Sequence, residues 1–184
     1  KSSYEVLKAE MGKLLYVNEN GILYLMFEGN VYEIKLDSLK VEKIVKNLEA
    51  GCYATSYDNQ YFSWVDVDSQ YSTTELSVMN LKTKEVIKIN KGDDQYLRPL
   101  GFIGNDFIYG VANAADVISD AAGNTTFPMH SIIIMDVTDQ TQLKEYTPAS
   151  GYVDSIAIDD YTINVNLIAA SNGVYTASGS DTIM

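Results

Sequence analysis

A pattern of two short apolar strands around a tight polar turn recurs along the chain. The segment 76–89, LSVMNLKTKEVIKI, lies over 31–44, VYEIKLDSLKVEKI, at an offset of 45 residues: Leu36 falls on Leu81, Ser38 on Thr83, Val41 on Val86 and Ile44 on Ile89. A third copy at 132–146 puts Met135, Asp136 and Val137 on Met79, Asn80 and Leu81 at an offset of 56, with one inserted residue. A second element repeats in step: NQYFSWV (59–65) aligns with NDFIYGV (105–111), preceded by 20–26 and followed by 160–166. Periods of roughly 40 to 50 residues, each holding four short strands, are the mark of β-propeller blades. The expected fold is all-β: antiparallel four-stranded meanders arranged as about four blades of a propeller, alone or as part of a larger one.

Turn chemistry divides the chain. Asn20-Gly21 between two apolar runs signals a hairpin, because both residues tolerate positive φ. The predicted strands of the first unit (13–49) cover 13–17, 21–27, 31–36 and 41–45. Its last segment, KVEKIVKNLE, also fits helical spacing, but its alignment with 85–90 favours a strand. The second unit (50–92) has predicted strands at 52–57, 60–67, 74–81 and 85–90. The third (93–149) has them at 100–103, 107–112, 130–137 and 142–146, and carries the longest connection, 113–128, with 120–124 as the turn at its tip. The fourth (150–184) has strands at 153–158 and 162–169 and a last one from Val174, ahead of a polar tail. Residues 1–9 supply an extra outer strand, over 3–8, that could complete the last blade and remove an open sheet edge.

With 184 residues, 46% hydrophobic and 21% charged, the chain has the composition of a globular domain. No stretch reaches the roughly 18 apolar residues of a spanning helix, so membrane insertion is not expected. A net charge of −12 disfavours nucleic acid and anionic membrane surfaces. Cys52, the sole cysteine, rules out an intrachain disulfide and reads as a buried thiol. The opening Lys-Ser-Ser-Tyr has no apolar leader, so any signal segment is expected to have been removed or never to have been there. Composition leans toward an exported, extracellular or cell-surface bacterial protein.

No catalytic chemistry emerges. The only histidine, His130, starts a strand and has no partnered Ser or Cys in a nucleophile motif. One His and one Cys cannot build a zinc site. Asp66 and Asp68, Asp93 and Asp94, and Asp116 with Asp120 are the only calcium-like spacings, and none matches a calcium loop. No metal, cofactor or catalytic residue is therefore expected. Tyr24, Tyr32, Phe62, Trp64 and Phe107 sit in strand patterns and read as packing between blades.

The order of elements, with Tyr-Phe-Ser-Trp at 61–64, Leu-Ser-Val-Met-Asn-Leu at 76–81 and Ile-Lys-Ile at 87–89, resembles the TolB-like and dipeptidyl-peptidase-like propeller repeats. The runs 98–103 and 106–110 are similar to those of uncharacterised bacterial cell-surface propeller proteins. The resemblance implies a binding platform, or a non-catalytic propeller domain of a larger hydrolase or peptidase. In either case, loops between second and third strands share one face with the loops between blades. That face would collect Asp66, Asp68, Gln70, Tyr71, Asp93, Asp94, Tyr96, Arg98, Asp116 and Asp120, overhung by 113–128. Long loops on a rigid scaffold carry function. The expected partner is an unknown protein or a polar or cationic ligand, with a homodimer through open sheet edges as a further option.

Overall fold

Four antiparallel sheets follow one another along the chain in the computed structural model, which describes residues 4–159 and 161–183. Residues 1–3, Asp160 and Met184, included in the expected elements, lie outside the described residues. A helix, α1 (Tyr4–Met11), comes first. The first sheet is β1 (Leu15–Val17), β2 (Ile22–Phe27), β3 (Asn30–Lys35) and β4 (Lys40–Val45), in that order. The second is β5 (Tyr53–Thr55), β6 (Tyr61–Trp64), β7 (Glu75–Asn80) and β8 (Val86–Asn90). β9 (Gln95–Ile103) and β10 (Asp106–Asn113) begin the third. A short hairpin, β11 (Ile118–Ser119) and β12 (Thr125–Thr126), then precedes β13 (Ser131–Asp136) and β14 (Gln142–Tyr146), which complete that sheet. β15 (Tyr152–Asp159), β16 (Thr162–Ser171) and β17 (Val174–Ile183) form the fourth.

Each sheet is a meander, and the first strands β5, β9 and β15 meet at a common hub while the chain travels outward to the last strand before returning. These are propeller blades. Sheets stacked in this way bury both faces of their middle strands, so β6 reads Tyr-Phe-Ser-Trp with no polar alternation and β10 is buried from Phe107 to Ala112. Tyr24, Phe62 and Phe107 are fully enclosed, and Tyr61 stacks on Phe102 of the next blade at 6.3 Å between ring centres. Trp64 packs against the same core, whereas Tyr32 is half-buried with the Lys43 ammonium 5.4 Å from its ring centre. One core joins the first three sheets; a second, around Ile108, Met129, Ile132 and Val153, joins the third to the fourth. Gly110 lets Met129 of this second core pack against the β10 backbone, where a Cβ would overlap the Met129 side chain.

The repeat has a physical cause at its hairpins. Asn80 and Asp136, aligned by sequence, each accept a backbone N–H two residues on, from Lys82 at 2.9 Å and Thr138 at 2.7 Å. Leu39, Lys84 and Gln140, also equivalent, all adopt the left-handed conformation, with φ of 53°, 68° and 61°. Neighbouring blades are tied by polar side chains as well. Asn18 is buried; its Oδ1 accepts the N–H groups of Asn20 and Ile22, both at 3.0 Å, and its Nδ2 donates to Leu81 O at 3.2 Å. Glu33 accepts from Lys84 Nζ of the second sheet at 2.6 Å and from Tyr24 OH at 3.3 Å. Burial, then the Glu33 carboxylate, push the Tyr24 phenol well above its ordinary range.

Where the N-terminal outer strand is expected, the described residues from Tyr4 onward form helix α1 instead. Its sequence, YEVLKAEM, is rich in strong helix formers, Glu5 lies in the first turn and Lys8 in the last, and Gly12 N–H closes the end on Lys8 O at 3.0 Å. It packs near β2 and contributes nothing to the fourth sheet, which holds three strands among the described residues. The expected polar tail is strand β17, because its register with β16 from Ser171↔Val174 to Ile163↔Ile183 satisfies a backbone that the Ser- and Thr-rich side chains do not oppose. The strand expected over 41–45 is present as β4.

Candidate functional site

The loops on the two ends of the blades differ in kind. On one end lie the regular hairpins β1–β2, β3–β4, β7–β8 and β13–β14. On the other lie the β6–β7 loop, the links between blades and the 114–130 excursion between β10 and β13. The ten residues collected on this face from the sequence are distributed over these loops and the hub strand β9. Asp66, Asp68, Asp93 and Asp94 are exposed, the first two around a 3-10 turn (Val67–Ser69) and the last two in the β8–β9 link. Asp94 O accepts Ala114 N–H at 2.9 Å, which ties that link to the base of the long loop.

Asp116 and Asp120 build the long loop itself. Asp116 accepts from Asn113 Nδ2 at 2.8 Å, and its carbonyl accepts from Tyr175 OH of the fourth sheet at 3.0 Å. Asp120 closes the tip as expected for 120–124: it accepts from the side chain and backbone N–H of Asn124 and from Ala122 N–H, at 2.8–2.9 Å. These bonds, the Asn124 side chain first, hold the Asp120 carboxyl below the ordinary range. Tyr96 packs half-buried against the second core.

Arg98 stands apart. It lies on the hub strand β9, half-buried, with its guanidinium carbon 5.9 Å from the ring centre of Tyr71 and 6.0 Å from that of Phe127. Tyr71 comes from the β6–β7 loop and the buried Phe127 from the end of the long loop, their rings 6.4 Å apart. Both loops therefore fold inward onto one cation, which the two rings attract through their faces. Gly51 makes room for it: with φ +88°, a Cβ there would sit 2.8 Å from Gln70 Nε2 and 3.0 Å from Arg98 Nη2. Gln70 Nε2 is itself fixed by donating to Ala50 O at 3.0 Å. Beside the guanidinium opens a cavity of about 250 Å³ lined by Gly51, Tyr53, Leu100, Asp154 and Ser155, among others. Among the described residues, no ion pair or hydrogen bond engages the guanidinium.

Arg98 was legible as a face residue; its clamp was not. Phe127 sits in a stretch read as loop, and only the apolar run Phe127-Pro128-Met129 hinted that the loop's end turns back into the core. Asp154 and Ser155 lie on a predicted strand and carried no signal.

Cys52 is buried and free, and burial pushes its thiol up. His130 N–H donates to Val111 O at 2.9 Å, and its Nε2 is enclosed without a partner. Among the described residues, no three His, Cys, Asp or Glu side chains converge as metal ligands, and no helix is long and apolar enough to cross a membrane.

No family model matches the chain, and no curated protein matches it by sequence. Among solved structures it is similar to hydrazine synthase of Kuenenia stuttgartiensis, at 16% identity and a TM-score of 0.45, over 93% of this chain and 45% of that one. It is also similar to the Pan2 WD40 domain of Neurospora crassa, at 8% identity and a TM-score of 0.47, over 92% and 47%. A third, the RRP9 WD40 repeats, gives 10% identity and a TM-score of 0.43, over 90% and 50%. The chain spans half or less of the length of each of these structures.

Proposed function

We propose that the chain is a non-enzymatic interaction scaffold of an exported bacterial protein, and that the loop-bearing end of its blades is the binding face. The observation that supports this most is the convergence of two long loops, through Tyr71 and Phe127, on Arg98 at the hub. A rigid frame presenting irregular loops around a central depression is the usual arrangement for recognition. Asp66, Asp68, Asp93 and Asp94 give the rim an acidic character that suits a partner with cationic groups. The TolB-like and peptidase-like repeat resemblance belongs to this reading, either as a free-standing platform or as the non-catalytic domain of a larger hydrolase.

Selection of peptides from a displayed random library on the immobilised chain tests it. Selected peptides should lose at least about tenfold in affinity to the D93N/D94N chain, or about 1.4 kcal/mol, and be indifferent to K82A on the opposite end. The reverse pattern would place recognition elsewhere. The proposal extends to two copies pairing along β17, whose outer edge pairs with no strand among the described residues. Light scattering reads this directly: a dimer supports the pairing and a monomer removes it.

A further inference from the structure

We infer that Arg98 anchors a carboxylate-binding pocket at the hub, and that its ligand is a carboxylate flanked by cationic groups, as in an acidic side chain between lysines. The inference rests on the loop end being the binding face, and it names the chemistry recognised there.

The guanidinium is positioned but not neutralised. Two aromatic rings flank its carbon, with centres at 5.9 and 6.0 Å, yet its N–H fork meets no acceptor among the described residues. The fork borders the cavity with no protein acceptor among the described residues, and a planar carboxylate is the group whose two oxygens match it. The cavity of about 250 Å³ beside it admits a carboxylate and a short stem but not a large ligand. Ser155 adds a donor: its Oγ accepts from Asn166 Nδ2 at 3.1 Å, which leaves the hydroxyl hydrogen to point elsewhere.

Asp154 lines the same cavity but forms no ion pair with Arg98. Its charge is therefore available to an ammonium group next to the bound carboxylate. The charge of the whole chain, −12, selects further: it opposes a dianionic phosphate more than a carboxylate whose neighbours are positive. Rim carboxylates and a central arginine together describe a ligand of alternating sign.

Arg98 is the only arginine of the sequence, so the ¹⁵N-labelled chain carries one arginine Nε–H resonance. Titration with acetyl-Lys-Glu-Lys-amide should move it saturably, together with the Gly51 and Ser155 amides. The Lys-Gln-Lys counterpart should bind at least about tenfold more weakly, a difference of about 1.4 kcal/mol. R98Q should abolish the saturable shifts at Gly51 and Ser155. R98K, which keeps the charge without the planar fork, should weaken binding by about the same tenfold. D154N should weaken the Glu peptide but not acetate. Equal binding of the Glu and Gln peptides, or tighter binding of inorganic phosphate than of the Glu peptide, overturns the inference. Should that happen while D93N/D94N still weakens the selected peptides, the carboxylate pocket falls and the binding face stands.

Discussion

The two ends of the blades obey different rules. At the hairpin end, equivalent positions repeat the same physics: Asn80 and Asp136 accept the same backbone donor, and residues 39, 84 and 140 share the same left-handed backbone. At the loop end the connections diverge in the middle blades, although the first and fourth share a two-residue left-handed turn, at Glu28-Gly29 and Asn172-Gly173. The second-to-third strand connection is a two-residue turn at Glu28-Gly29 in the first blade, a 3-10 turn in the second and a hairpin-bearing excursion in the third. The contrast separates what folding requires from what recognition uses. The frame needs each hairpin to close in the same way, whereas each loop is free to carry its own chemistry.

The sharpest way to break this separation is at the frame. Phe62→Ala empties a fully buried site flanked by Tyr53 and Trp64, with ring centres 6.3 and 5.4 Å away, and should cost about 3–5 kcal/mol in urea unfolding. Asn18→Ala follows. It orphans two hairpin amides and the Leu81 carbonyl, and should cost about 1–3 kcal/mol. Asp120→Ala makes the matching loop-end change, since Asp120 also closes a turn. Its effect should be mostly local, with at most a slight lowering of the urea midpoint and faster amide exchange at Ala122 and Asn124. The sign of its pH dependence is fixed: the Asp120 carboxyl is held below its unfolded value, so its contribution is present above that value and lost as pH falls through the folded one.

Sequence legibility followed the same divide. The frame was readable because meander strands between stacked blades leave a period of apolar runs and Asx turns, which is how β4 was distinguished from a helix. What failed at the frame failed at its end. In residues 4–11 helix formers outweighed the β-compatible Tyr-Glu-Val, and no repeat partner was there to arbitrate. The loop end was readable only as a place. Asp93 and Asp94 proved exposed as expected, but Tyr96 turned inward and the Arg98 clamp depends on Phe127 and Gly51, two residues far from Arg98 in sequence. No local pattern encodes such a meeting.

Smaller changes sharpen the comparison. Leu39 pays for the repeated left-handed turn with a side chain that is 74% exposed. Leu39→Gly relieves that strain and should raise the unfolding free energy by up to about 1 kcal/mol, the larger chain entropy of glycine offsetting part of the gain. Asp106, which faces Asp136 across β10 and β13, has its carboxyl raised by burial first and by Asp136 second. Because its folded value lies above the unfolded one, its contribution is full at low pH and lost as pH rises through the folded value. Asp106→Asn should therefore stabilise the chain at neutral pH, by less than about 1 kcal/mol, and leave acid stability nearly unchanged.

Amide hydrogen exchange on the free chain tests the separation of frame from loops most directly. The separation predicts that β10 and β13, buried between the two cores, exchange only through global unfolding, while 118–126 exchanges faster by a factor on the order of a thousand or more. Equal protection of the two regions, or loss of protection in β10 and β13 when Asp120 is replaced, would contradict it.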